Sequence, residues 1–435
     1  MMNAAKLLHP GMHIKRWIGL AVLGLIITSL GFAYLLVQVY RVQPLPEAAA
    51  TITLQFIERP VRGAIFLAIG FLCVVVAILK LQQSLLAAFV QPSNTSVVDT
   101  IYNYRSRQRG PRVVVIGGGT GLSVALRGLK GLTNNLTAIV TVADDGGSSG
   151  RLRRDLGILP PGDFRNCMVA LADVEPLMED LFQYRFDHGG ELEGHSFGNL
   201  FIVAMREVTG SFERALEESS RVLAVRGRVL PSTLADVQLC AEMDDATTVC
   251  GESAITKSIR GVQRVFLQPD HPRAYPEAIQ AIYDADLIVV GPGSLYTSVL
   301  PNLLVGGICD ALMRARAFKV YVCNVATQPG ETDDYSIGDH IEALRSHMPG
   351  RELPFHHVLA NSLVGLPMPP SGKVLPVSAN GLSRDLPEDT VLYADVVDVN
   401  NPVRHDSVKL AEALLKLYSE KGDTAAAPRK MLAHV

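Results

Sequence analysis

The chain of 435 residues is 48% hydrophobic and only 19% charged, with a mean hydropathy of +0.22, more apolar than a globular domain of this length needs. Residues 1–92 hold seven of the 40 Lys and Arg and two of the 43 Asp and Glu, which leaves the remainder with 33 against 41, a net charge of −8. An acidic domain has no footprint for phosphate backbones, so no nucleic acid partner is expected.

The apolar excess is concentrated at the start. The run from Trp17 to Tyr40 carries no charge and is long enough to cross a bilayer, while a second from Gly63 to Leu79 is at the lower limit. The first run exceeds the apolar core of a signal peptide, and no small-residue cleavage site precedes Arg41. Residues 1–90 therefore read as a two-helix transmembrane hairpin with spans near 17–40 and 63–79, although the second segment also suits a buried or interfacial helix. Basic residues outside the pair, Lys6, Lys15, Arg16, Lys80, Arg105 and Arg107 among them, favour both ends in the cytoplasm. The expectation is a multi-pass protein of the cell membrane whose C-terminal domain is cytoplasmic. A polar linker is expected over 91–111, a large α/β domain over 112–421 and a flexible tail over 422–435.

The segment Arg112–Ile116 is a continuous β-branched run, as in a strand buried on both faces of a parallel sheet. Gly117–Gly121 ends it and leads into LSVALRGLKGL, whose Leu122, Ala125, Leu126, Leu129 and Leu132 recur at helical spacing. Further strands are expected at Leu136–Val142, Asp286–Val290, Lys319–Cys323 and His356–Ala360, with helices at Phe197–Val208 and Val408–Leu417. The alternation predicts an α/β fold with a doubly wound, mostly parallel, Rossmann-like sheet. Cys73, Cys167, Cys240, Cys250, Cys309 and Cys323 show no CxxC and no paired spacing. Neither a zinc site nor a disulfide framework is indicated, and a reducing compartment is expected.

Ligands of such sheets bind at the carboxyl ends of the strands, near a topological switch point. Four expected strand ends carry polar loops: GGGTG at 117–121, ADDGGSSGRLR at 143–153, GPGSLYTS at 291–298 and NVATQPGET at 324–332. Glycines let the backbone approach a ligand and a helix N-terminus favours an anion, so phosphate is the natural guest. The dinucleotide fingerprint GxGxxG fails, since its third glycine falls on Leu122 or Val124, and no GK[ST] of a P-loop follows. A nicotinamide dehydrogenase is accordingly disfavoured. Asp144 and Asp145 can accept from a ribose hydroxyl, hold a cation, or make a turn with Gly146. Arg151, Arg153, Arg154 and Arg165 offer donors to phosphate, and one of them is expected to reach the ligand. Asp163 suits a cap for a helix beginning at Phe164, Ser196 a cap for the next helix, and His195 a structural role beside it. No GxSxG elbow, HExxH or Cys in a basic setting offers a nucleophile.

In this order, GGGTGL, DDGGSSGRLR, PGDFRNC, GHSFGNL, ITKS, GPGSLYTS with PNLLV, TQPGET and RHDS closely resemble the bacterial gluconeogenesis-factor family, which is related to the 2-phospho-L-lactate transferase of deazaflavin cofactor synthesis. The resemblance covers nearly all of Arg112–Leu417. It implies a Rossmann-like domain that binds a UDP-sugar such as UDP-N-acetylglucosamine and supports cell-envelope synthesis, peptidoglycan regulation and cell shape during gluconeogenic growth. Carried over motif by motif, the nucleotide-sugar pocket takes Gly118, Gly119, Thr120, Gly121, Asp144, Asp145, Ser148, Ser149, Arg165, Asn166 and Asn199. Gly291, Gly293, Ser294, Tyr296 and Asn324 close the other side, and Arg404 comes from the last motif. This reading assigns no catalytic residue and requires no cofactor; envelope-synthesis proteins are the expected partners and a homo-oligomer the expected state. The alternative suggested by the relatives is a magnesium-dependent transferase, moving a phospho-acyl group from a nucleotide diphosphate donor to a deazaflavin-like alcohol, with Asp144 or Asp145 holding the metal. The hairpin is a departure, since many members of the family are purely soluble.

Overall fold

The computed structural model describes residues 106–422, apart from 174–175, 189, 259–260, 364, 369–373, 383–385 and 388–389, together with 57–87 and single positions between 23 and 37. The first expected span, 17–40, lies mostly outside the described residues, and the linker up to residue 105 and the tail from 423 lie wholly outside them. The second falls within a helix over Arg59–Ala87. Its apolar stretch, Gly63–Val76, is shorter than the ~20 residues a span takes. Among the described residues no single helix is long and apolar enough to cross a membrane. The chain divides at Ser106/Arg107, and the α/β unit begins there.

Twelve strands are described in that unit: β1 (Val113–Gly117), β2 (Leu136–Val140), β3 (Arg228–Pro231), β4 (Gln238–Met243), β5 (Thr248–Cys250), β6 (Val262–Gln268), β7 (Leu287–Val290), β8 (Phe318–Val322), β9 (His357–Asn361), β10 (Val391–Ala394), β11 (Val397–Asp398) and β12 (Asn401–His405). Seven form one sheet in the order β10-β9-β8-β7-β1-β2-β3, every neighbouring pair parallel. The expected strands at 112–116, 136–142, 286–290, 319–323 and 356–360 all lie in it, with ends that differ from those expected by at most two residues. β1, β7 and β8 are buried along their whole length, because helices cover both faces. The helix Gly119–Leu129 follows β1 and turns Leu122, Ala125, Leu126 and Leu129 into the core, the spacing the sequence predicts.

The order of the sheet sets the site. From β1 the chain moves outward through β2 to β3, then crosses back to β7 on the other side of β1 and continues through β8 to β10. The gap between the loops after β1 and β7 is therefore the switch point.

Two small antiparallel ribbons decorate the sheet, β5-β4-β6 and β11-β12. The first corrects an expectation, because Cys240 of β4 lies directly opposite Cys250 of β5 and the two form a disulfide. The pairing register, not the linear spacing, brings them together. The other cysteines described in this unit, Cys167, Cys309 and Cys323, are buried free thiols.

The last helix, Ser407–Lys421, packs on the helix Gly119–Leu129 at a point where only glycine fits: a Cβ on Gly128 would run into the Ser407 carbonyl and lie 2.9 Å from Ala411 Cβ. Gly128→Val is expected to force the two helices apart and to lower stability by roughly 1–3 kcal/mol, read from the urea midpoint. An unchanged midpoint would mean that this contact is not built as described.

Candidate functional site

The loop after β1 enters its helix with Gly118 extended and Gly119 at φ +63, a conformation that a branched side chain resists. The loop after β7 meets it face to face: a Cβ on Gly121 would lie 2.6 Å from the Pro292 carbonyl oxygen. Asn302 holds this closure together, donating through Nδ2 to the Gly117 carbonyl at 2.9 Å and the Ser298 carbonyl at 2.7 Å. Asn324, after β8, grips the Gly293 peptide from both sides, donating to its carbonyl at 3.0 Å and accepting from its N–H at 3.3 Å. Gln328 then donates to Ser294 Oγ at 2.7 Å.

These loops enclose a cavity of about 380 Å³ outside the carboxyl ends of β1, β7 and β8, lined by Gly118–Gly121, Gly293, Ser294, Asn324, Gln328 and, from β12, Arg404 and His405. Its volume falls in the range of small-molecule sites. The structure thus brings together one half of the expected pocket: the GGGTG loop, Gly293, Ser294, Asn324 and the exposed Arg404. Gly291 and Tyr296 stand outside that lining. Tyr296 is buried in the core, its hydroxyl 2.8 Å from that of Tyr335.

The other half forms a second group. Ser148 and Ser149 open the helix Gly147–Leu156, where Ser149 accepts from the Gly162 N–H at 3.1 Å and Ser148 Oγ lies 2.9 Å from His195 Nδ1 while accepting from Asn199 Nδ2 at 3.1 Å. Arg165 is buried, with its guanidinium on Ser196 Oγ and Asn166 Oδ1. Of the other arginines, Arg151 donates to the Glu193 carbonyl and Arg153 to Asp236 and the Val142, Asp144 and Val237 carbonyls. Arg165 and Arg153 therefore serve the protein's own carbonyls and side chains, and the basic residue facing the cavity is Arg404. Ser196 caps its helix as expected, accepting from the Asn199 N–H. Asp163 does not cap a helix at Phe164. That helix starts at Gly162, and the Asp163 carboxylate accepts from the Gly119 N–H, at the start of the helix after β1.

Asp163 belongs to a carboxylate cluster that sequence spacing does not announce. Burial, reinforced by Asp144, pushes Asp163 up to about 7, while the Gly119 N–H and Arg165 act against it. Burial, then Asp144 and Asp163, push Glu252 up to about 8. Burial raises Asp144 as well, and takes Glu331 to about 7 although the Thr297 hydroxyl donates to it at 2.9 Å. Protons shared among these groups keep the cluster from carrying its full negative charge at neutral pH. Asp144 spends an oxygen on the Gly146 N–H and Asp145 one on the Ser253 N–H, each at 2.8 Å. Among the described residues no three carboxylate, imidazole or thiol groups are grouped to hold a metal ion.

A larger cavity, about 610 Å³, opens at the free edge of the sheet beside β3. Among its charged walls Arg228 pairs with Glu277 and Arg221 with Glu217 and Glu218, and none of the polar loops after β1, β7 and β8 lines it.

The model of the 2-phospho-L-lactate transferase CofD family matches residues 113–420. The gluconeogenesis factor of Bacillus subtilis is 50% identical over 316 residues, which cover 71% of this chain and 99% of that protein. A relative in Nostoc sp. (strain PCC 7120), provisionally given the same name, is 45% identical over 424 residues, 95% of this chain and 92% of its own. Among solved structures, the crystal structure of a UPF0052 family member from Bacillus halodurans is similar with a TM-score of 0.65 and 46% identity, covering 71% of this chain and 99% of that one.

His405 closes the cleft floor through Nε2, 3.2 Å from the Cys323 carbonyl, and burial holds its pKa down at about 4. The folded protein keeps it neutral while the unfolded chain protonates near 6.5. This contribution is complete above pH 6.5 and is lost as the pH falls toward 4, by roughly 3 kcal/mol in all. Burial lowers His340 and His347 too, so part of the acid limb remains without His405. His405→Gln, which keeps a donor for Cys323, is expected to flatten the fall in melting temperature between pH 6.5 and 4. An acid limb of undiminished slope would contradict the neutral, buried assignment.

Proposed function

Because the chain belongs to the gluconeogenesis factor family and matches the 2-phospho-L-lactate transferase CofD model over most of its length, we propose that it binds a nucleotide-sugar of the UDP-N-acetylglucosamine kind in the cleft at the switch point. The observation that carries this reading is the convergence of two glycine loops and Arg404 on one cavity. First-turn amides of a helix have no partner within the helix, and they favour a diphosphate placed against Thr120 and Gly121. Gly293 and Ser294 face it from the other loop, fixed by Asn324 and Gln328. Occupancy of the cleft would report the supply of envelope precursors, in support of cell-envelope synthesis and cell shape during gluconeogenic growth. Tethering at the membrane through residues 17–79, with this domain in the cytoplasm, belongs to the same proposal. In its support, the Nostoc relative matches 95% of this chain and the Bacillus subtilis one 71%, so the extra length is shared with some relatives and absent from others.

A second reading, a transferase acting on a nucleotide diphosphate donor, is favoured by the carboxylates Asp144, Asp163 and Glu252 beside the phosphate loop. Raised carboxyls near neutrality are suited to proton transfer.

Calorimetric titration of UDP-N-acetylglucosamine into the full chain in detergent is expected to give saturable binding. Arg404→Ala should weaken it roughly tenfold, a loss that shrinks at high salt, whereas Gly119→Val should abolish it at every salt concentration. Chromatography of the mixtures should find no released UMP or UDP. Wild-type affinity in both folded variants would move the ligand elsewhere, and steady nucleotide release would favour the transferase.

A further inference from the structure

The ribbon β5-β4-β6 is not an ornament of the sheet, because its middle connection feeds the site. β5 is three residues long and mostly exposed, and it ends at Cys250, itself exposed, whereas Cys240 opposite is fully buried. Immediately after Cys250 the chain enters the short helix Glu252–Thr256. This segment abuts two loops of the site. Gly251, at φ +104, comes so close that a Cβ there would lie 2.5 Å from Asp145 Oδ2. The Ser253 N–H donates to Asp145 Oδ1 at 2.8 Å, and a Cβ on Gly146 would lie 2.9 Å from Ser253 Oγ. At its other end the Thr256 carbonyl oxygen is 2.5 Å from where a Gly330 Cβ would stand, next to Glu331. Glu252, between them, faces Asp144 and Asp163.

We propose that Cys240 and Cys250 are a reversible thiol–disulfide site whose oxidised form clamps residues 251–256 against the Asp144–Gly146 shelf. The disulfide sits at the open end of the hairpin, one residue from Gly251. With it closed, the start of the segment is tied covalently to buried β4. With it open, the same point is held by a three-residue edge strand and the Gly251 N–H to Leu239 carbonyl bond. Short, exposed strands of this kind open locally at little cost. The reductant is a protein or small-molecule dithiol. One of its thiolates attacks Cys250 sulfur, the S–S bond breaks and Cys240 leaves as a thiolate that takes up a proton. The second thiol of the reductant resolves the mixed disulfide, so that two electrons and two protons pass to the pair and the reductant becomes a disulfide. A disulfide of the same class reverses the step. As regulation of the cleft, the inference rests on the binding reading above; the clamp itself does not need a ligand to be observed.

The test is hydrogen exchange of the full chain in detergent, oxidised with oxidised glutathione or reduced with dithiothreitol, with thiol mapping by mass spectrometry. Oxidation is expected to join Cys240 to Cys250. Reduction should then raise exchange at the Ser253 amide about tenfold or more, with strands β1 and β7 unchanged. Cys250→Ser should exchange like the reduced protein in either solution. The clamp is overturned if the two cysteines never pair, if oxidised and reduced chains exchange alike, or if Cys250→Ser behaves like the oxidised form. UDP-N-acetylglucosamine titrated into both forms separates the two proposals. An exchange difference without binding in either form keeps the clamp and removes the ligand reading. Tighter binding by the oxidised form supports both.

Discussion

The backbone of Gly117–Gly121 is held from three sides, and the rest of the site depends on that grip. Asn302 ties its first carbonyl to the helix start after β7, Pro292 leaves no room for a Cβ at Gly121, and the Asp163 carboxylate accepts from the Gly119 N–H. A loop fixed in this way costs little further ordering when an anion arrives, which is how a preorganised site gains affinity. Asp163 is also an acid placed under a phosphate-favouring helix start. Left ionised it would compete with a bound anion, so its raised pKa and the opposing Arg165 are consistent with a loop prepared for negative charge.

Much of this was legible in the chain. RVVVI, LTAIV, LIVV, KVYV and HVLA announce themselves as strands because a central parallel strand is apolar on both faces, and five of the seven strands in the large sheet are of this kind. The strands that escaped are the two edges. Arg228–Pro231 begins with an exposed arginine and ends in proline, while Val391–Ala394 is apolar but only four residues long and, at the edge, only partly buried. The glycine loops were equally legible, since their use follows from standing at strand ends in a doubly wound sheet.

What the sequence could not reveal is partnership across distance. Asp163, Glu252 and Glu331 come from three separate segments and meet only in the folded chain. Cys240 and Cys250 carry no recognisable motif, and only the antiparallel register of β4 and β5 makes them opposite. Arg165 reads as a phosphate donor because a guanidinium matches phosphate oxygens and PGDFRNC is one of the shared motifs, whereas its contacts to Ser196 and Asn166 follow only from the fold. Arg404, named from the last motif, reaches the cleft beside His405, whose ring meets the Cys323 carbonyl just past β8, a neighbourhood that only the fold reveals.

The most direct measurement is a crystal structure of the chain with UDP-N-acetylglucosamine. The account predicts diphosphate density within hydrogen-bonding distance of the amides of Thr120 and Gly121, with Gly293 and Ser294 opposite and Arg404 closing the edge. Density in the groove beside β3, or a nucleotide that leaves the Gly118–Gly121 loop untouched, would contradict it.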